Sequence, residues 1–228
     1  MYLTVRFDLN YTVRYNMSII YIYSFEEFVA SGRKKAFDEH KALRAAMEVF
    51  WLKGYVGASL TDLTRSMSIN KPSLYSAFGN KETLFIKAIE LYIESTVKVH
   101  LHVLNETGTP LAQRLKNYMM SIIATQCGPE QPKGCFLVLC QSEALGGEIP
   151  EVAASFLQEA GNIPKQQLAA IFKDDLEAIA LKLNQNADGN VLSLYTTLTG
   201  TASMARSGVA IADLEYVVDT TLRGVGIE

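Results

Sequence analysis

The sequence predicts an all-α protein in two parts. An N-terminal three-helix unit carries a helix-turn-helix, and a C-terminal helical domain follows, giving about nine helices. Three observations lead there. From Gly32 onward apolar residues recur at helical spacing, as in Leu43, Ala46, Met47 and Phe50 (i, i+3, i+4, i+7). Capping residues and glycines fall where helices of ordinary length start and stop. Charge is divided: residues 33–81 hold nine basic against four acidic side chains, whereas 82–228 hold ten against seventeen. A head of +5 on a body of −7 is hidden in the overall −3, and it suits a polyanionic partner for the head alone.

Composition narrows the class further. With 228 residues, 49% hydrophobic and 20% charged, the chain has material for a substantial core and is neither fibrous nor disordered in type. Its longest uncharged stretch, Gly189 to Ala205, is rich in Ser, Thr and Gly, so no membrane span is expected. Three cysteines argue for a reducing cytoplasm over a disulfide framework. Residues 1–31 stand apart: they hold five of the eleven tyrosines and strand-favouring runs such as Ile19-Ile20-Tyr21-Ile22-Tyr23. They read as an extension, either disordered or translated from a start assigned too early. Residues 32–80 read as the head and 81–228 as the body.

The first helix is expected from about Asp38 to Lys53, stopped by Gly54. Ser59 and Asp62 make a capping-box start for a short second helix ending near Met67. Ser68-Ile69-Asn70 forms the turn. Asn70 caps the third helix, Lys71 to Phe78, with Pro72 in its first turn, where a missing N–H costs nothing. Gly79 ends it, and Asn80 caps a long fourth helix, Lys81 to Leu104. Two short helices joined by a tight turn, behind a longer support, place the third helix to enter a major groove about 12 Å wide.

As a set, Phe37-Asp38, Ala45-Ala46-Met47, Phe50-Trp51, Gly54-Tyr55, Ser59 to Leu63, Ile69 to Tyr75 and Phe78 to Phe85 resemble the TetR/AcrR family of bacterial transcriptional regulators, over about residues 32–92. The resemblance implies roles. Ser59 and Thr61 would contact phosphate, Lys71 and Ser73 would reach base edges with Pro72 alongside, and Tyr75 would place its hydroxyl on a phosphate. Lys81 would add charge to a helix N-terminus that already favours phosphate. Arg33, Lys34 and Lys35 resemble the basic arm that follows a minor groove. Ser68 departs from the glycine usual in this turn; a left-handed serine there would be strained by about 1 kcal/mol.

The body reads as further helices: Leu111 to Gln126, Cys135 to Gly146, and a long segment from Pro150 to about Leu183 that Asn162-Ile163-Pro164 should kink or interrupt. Asp174-Asp175 reads as a solvated face. Two last helices follow, Asn190 to Ser207 and Ile211 to Arg223. The resemblance implies that this last pair builds a homodimer, through Thr197, Gly200, Thr201, Leu214, Val217 and Val218. Met119, Met120 and Phe136 are candidates for an apolar effector pocket, though ordinary core explains them equally well. No catalytic, P-loop, HExxH or CxxC signature occurs, so neither enzyme activity, metal nor cofactor is expected.

The expected function is a ligand-responsive repressor that binds a palindromic double-stranded DNA operator as a homodimer and is released by a small-molecule effector. One alternative is a thiol- or metal-sensing regulator using Cys127, Cys135 and Cys140. Another is a small-molecule-binding protein or enzyme with a vestigial helix-turn-helix.

Overall fold

The computed structural model describes residues 2–6, 12–16 and 37–227. The chain divides into two units, residues 1–36 and 37–228. In the first, β1 (Tyr2–Arg6) pairs antiparallel with β2 (Thr12–Asn16), with Val5 opposite Val13. The expectation of a disordered or mis-started extension over 1–31 lies otherwise outside the described residues. So does the basic arm of Arg33, Lys34 and Lys35.

In the second unit all regular structure is helical. Asp38 caps α1 (Glu39–Gly57) by accepting the amides of His40 and Lys41. The helix does not simply stop at Gly54. That glycine takes φ 72° and ψ 178°, breaking the helix, and the chain regains one turn before Gly57. Helices α2 (Leu60–Ser66) and α3 (Lys71–Phe78) start and stop, and α4 (Lys81–Tyr92) starts, close to where their caps predict. The expected fourth helix is not uniform, however. A π-helical turn, Ile93–Val97, separates α4 from α5 (Lys98–Leu104).

Helices α6 (Leu111–Cys127) and α7 (Phe136–Leu145) precede α8 (Glu151–Asp174). Of the kink or interruption expected at Pro164, the interruption does not occur: α8 runs through it for 24 residues. An interior proline costs about 3 kcal/mol. Leu157, Ala160, Leu168 and Phe172, on either side of it, are buried along one face. At about 1.5–3 kcal/mol per large apolar side chain, that burial outweighs the proline. The chain breaks instead at Asp175, which is no solvated face. It caps the short α9 (Leu176–Ala180), and after a 3₁₀ turn α10 (Ala187–Arg206) and α11 (Ile211–Gly224) complete the fold.

The core has two parts. One holds Phe50, Trp51, Leu63, Leu74 and Phe78 of the head together with Phe85, Tyr92, Phe136 and Leu157 of the body. The other joins Leu115, Met119, Phe172, Leu194, Leu214 and Val218. Head and body therefore share one apolar cluster.

Candidate nucleic-acid interface and effector cavity

The helix-turn-helix is fixed by local hydrogen bonds. Asp62 N–H donates to Ser59 Oγ (3.0 Å), and Ser59 N–H to Asp62 Oδ2 (3.3 Å), a reciprocal capping box. Lys53 adds an ion pair to Asp62 at 2.9 Å. Hydrogen bonds from Lys53, then from Ser59, hold the Asp62 carboxyl down at about 2. At the other end of α2, Ile69 N–H reaches Thr64 C=O (3.1 Å) and Ser68 N–H reaches Arg65 C=O (3.2 Å). This is a Schellman closure, and it places Ser68 at the left-handed position, φ 55°. Asn70 Oδ1 accepts the amide of Ser73 at 2.8 Å, starting α3.

Leu74 and Phe78 anchor α3 in the core, while Lys71, Pro72 and Tyr75 are exposed and Ser73 is half-buried. Ser59 and Thr61 are exposed at the start of α2. The sequence-predicted contacts on α2 and α3 thus lie at or near the surface. Lys81 differs: its ammonium sits 4.4 Å from the centroid of the Tyr55 ring. Burial there lowers its pKa, with Glu143 opposing.

In the body, a cavity of about 70 Å³ lies where the π-helical turn passes α6, α7, α8 and α10. Tyr92, Thr96, His100, Tyr118, Gln126, Cys135 and Tyr195 line it with Ile122, Leu137, Val138 and Leu198. Met119, Met120 and Phe136 are not among its lining residues. Met119 and Phe136 are fully buried in the core: α6 turns Tyr118, Ile122 and Thr125 toward the cavity, and α7 turns Leu137 and Val138 there. Among the described residues no acidic or basic chain carrying a full charge lines it. His100 is buried, which lowers its pKa and favours neutral imidazole. Ser121 Oγ donates to Tyr118 C=O at 2.7 Å, so His100 Nδ1, 3.0 Å from the same oxygen, must be the donor. That tautomer leaves Nε2 as an acceptor.

The predicted dimer residues divide. Thr201, Leu214 and Val218 are buried inside this chain, where they pack α10 and α11 onto α6, so they cannot present a surface. Thr197 Oγ1 lies 3.0 Å from Thr221 Oγ1, tying α10 to α11. Gly200 is exposed, with no heavy atom within 4 Å of where a Cβ would stand. The outward stripe of these helices is Leu192, Thr196, Gly200, Met204 and Tyr216, with Leu192 65% and Tyr216 69% exposed.

The cysteines are scattered in role. Cys127 borders a surface groove with Lys133, Cys135 accepts the Tyr92 hydroxyl at 3.4 Å, and Cys140 is core. Burial raises the pKa of all three thiols. No group of three His, Cys, Asp or Glu residues among the described residues is placed to hold a metal. No helix there is long and apolar enough to cross a membrane.

A capped helix-turn-helix with an exposed recognition face, carried on a helical body, defines a DNA-binding transcriptional regulator. Comparisons with known proteins agree. Residues 42–88 match the family model for bacterial regulatory proteins of the tetR family. The HTH-type transcriptional repressor ComR of Escherichia coli is 35% identical over 107 residues, 47% of this chain and 51% of that protein, so this match spans about half of that relative. YezE of Bacillus subtilis, an uncharacterized HTH-type transcriptional regulator, is 28% identical over 77% of this chain and 93% of its own length. Among solved structures, a cysteine mutant of the TetR family regulator CifR, complexed with 26-base-pair operator DNA, is 31% identical with a TM-score of 0.73. It covers 84% of this chain and 98% of its own. The chain belongs to the TetR family of transcriptional regulators.

Proposed function

We propose that this regulator is a repressor that binds a palindromic operator as a homodimer and is released by a compact, uncharged effector. The observation that carries the reading is the recognition helix itself. Its inner face is spent on Leu74 and Phe78, which leaves Lys71, Pro72 and Tyr75 turned outward. Lys71 and Ser73 read bases, with Pro72 in apolar contact, while Ser59, Thr61, Tyr75 and Lys81 serve phosphate. CifR, named as bound to operator DNA, supports the DNA partner. The stripe of Leu192, Gly200, Met204 and Tyr216 is the surface proposed to meet its mate.

The cavity supplies the effector class. Its walls hold hydroxyls, an amide and neutral His100 but no full charge, so an ion would lose hydration without a partner. His100 Nε2, left as an acceptor, favours a ligand carrying a hydroxyl or N–H. Such a ligand releases DNA only by binding the DNA-incompetent arrangement more tightly. Tyr92 is the path: it lines the cavity and stands 5.0 Å, edge to face, from Trp51 of the head. A thiol-based reading has Cys135 at the cavity wall in its favour, but a thiol raised by burial is a poor nucleophile.

The test is selection of a duplex from a random-sequence pool, followed by titration with small alcohols, phenols and amides. The expected result is an enriched palindrome, bound in a salt-dependent manner and released by neutral compounds that raise the melting temperature. Wild-type protein that enriches no sequence refutes the DNA reading. Release by carboxylates in preference to neutral compounds refutes the effector class.

A further inference from the structure

The break in α1 at Gly54 leaves backbone groups of the head without helical partners, and the body supplies them. On the N-terminal side, the carbonyls of Trp51 and Leu52 accept from Arg206, at the end of α10: Nη1 to Trp51 O is 3.2 Å and Nη2 to Leu52 O is 3.0 Å. On the C-terminal side, the Tyr55 amide donates to Glu143 Oε2 of α7 at 2.7 Å. The signs are matched. A cation meets the carbonyl end of one helical piece, and an anion meets the amide end of the next. These partners lie 155, 154 and 88 positions away in sequence, so this is no local cap. A Cβ built on Gly54 would fall 2.1 Å from Glu143 Oε1, so the glycine is needed both for its φ and for this approach. Trp51 itself is fully buried, and its indole Nε1 has no acceptor among the described residues.

We propose that Glu143 and Arg206 clamp the Gly54 break and are positioning residues for DNA binding, setting the angle at which α2 and α3 are presented. This rests on the DNA-binding reading above. Both residues sit on body helices that wall the cavity, α7 and α10, so a shift of either helix is passed directly to the head's backbone. Neither Glu143 nor Arg206 is among the residues that line the cavity.

The test uses Arg206→Met, Glu143→Ala and Gly54→Ala in the full chain. Two probes are needed: the duplex that wild-type protein enriches from a random pool, and an unrelated duplex of equal length. Each variant should bind the enriched duplex about tenfold more weakly, and the unrelated duplex within twofold of wild type. Arg206→Lys keeps the charge but lacks the two-pronged fork, so it should recover only part of the loss. Trp51 is the sole tryptophan, and its emission should move to longer wavelength in all three variants. Enriched-duplex binding within twofold of wild type in Arg206→Met and Glu143→Ala overturns the proposal. Equal loss on both duplexes also overturns it, since that marks general support of the fold. If wild-type protein enriches nothing, the DNA reading fails; an unshifted Trp51 spectrum in the variants shows separately that the clamp fails.

Discussion

Replacing Arg114 by Met tests how the cavity-lining helix is held. Arg114 lies on the same face of α6 as Tyr118, Ile122 and Thr125, at i, i+4, i+8 and i+11. Its Nη2 is 2.6 Å from Asp175 Oδ2, and its Nε donates to Thr109 C=O at 3.0 Å. Removing one partner of a buried pair costs about 3–5 kcal/mol. The side chains here keep 10% and 16% exposure, and Asp175 retains the amides of Glu177 (2.9 Å) and Ala178 (3.3 Å). The expected loss is therefore about 2–4 kcal/mol at pH 7, towards the low side of that range for buried pairs. Burial alone would raise the pKa of Asp175; the Arg114 hydrogen bond and the two amides outweigh it and leave it low. A depressed carboxyl stabilises the fold fully above its unfolded pKa of about 3.9 and ceases to do so as pH falls through the folded value. The gap between wild type and Arg114→Met should thus be widest at neutral pH and narrow below about pH 4. Urea denaturation followed by circular dichroism, at fixed protein concentration and at pH 7 and 3.5, measures both. A loss under about 1 kcal/mol at pH 7, or a gap that widens in acid, refutes the reasoning.

Three further outcomes follow from the geometry. Ser68→Gly removes left-handed strain of about 1–2 kcal/mol at the cost of about 0.5–1 in chain entropy, so melting should rise by about 1–3 °C; a fall refutes it. Lys71→Ala should flatten sequence preference by about 1–3 kcal/mol, whereas Tyr75→Phe should weaken all duplexes alike; competition binding on single-base variants separates the two. Gly200→Leu and Tyr216→Glu should each lower the mass in solution toward a monomer, read by light scattering across micromolar concentrations, while a wild type that is already monomeric removes the dimer from the account.

What is legible in the sequence is what is local. Ser59 with Asp62, Asn70 with Pro72, and Gly79 with Asn80 each act within four residues, so the bounds of α2, α3 and the start of α4 are written in their own neighbours. The left-handed turn at Ser68 is suggested only through the resemblance, as the position where that family usually has glycine. The apolar stripe of Leu214, Val217 and Val218 is equally visible, but a period says that a face is buried, not against what. Two of those three pack inward, and the exposed stripe with Tyr216 carries too few apolar residues to announce itself. Pro164 leaves a kink and an interruption equally open, because its local cost says nothing of the burial on either side of it. The π-helical turn has no periodic signature, and Asp175, Glu143 and Arg206 meet partners 61 to 155 positions away. Nothing in their neighbours signals that.

The cluster shared by Trp51, Phe85, Tyr92 and Phe136 bears on how such regulators can be recombined. A cut near residue 80 looks natural on sequence, because caps and glycines crowd there. It would nevertheless strip the first helix of the rings it packs on and leave Phe50 and Trp51 facing water. A transplantable reading head is therefore not the segment 37–80. It is that segment with α4 and the opening of α7 attached, and a chimera joined at residue 80 inherits a foreign surface beneath Trp51.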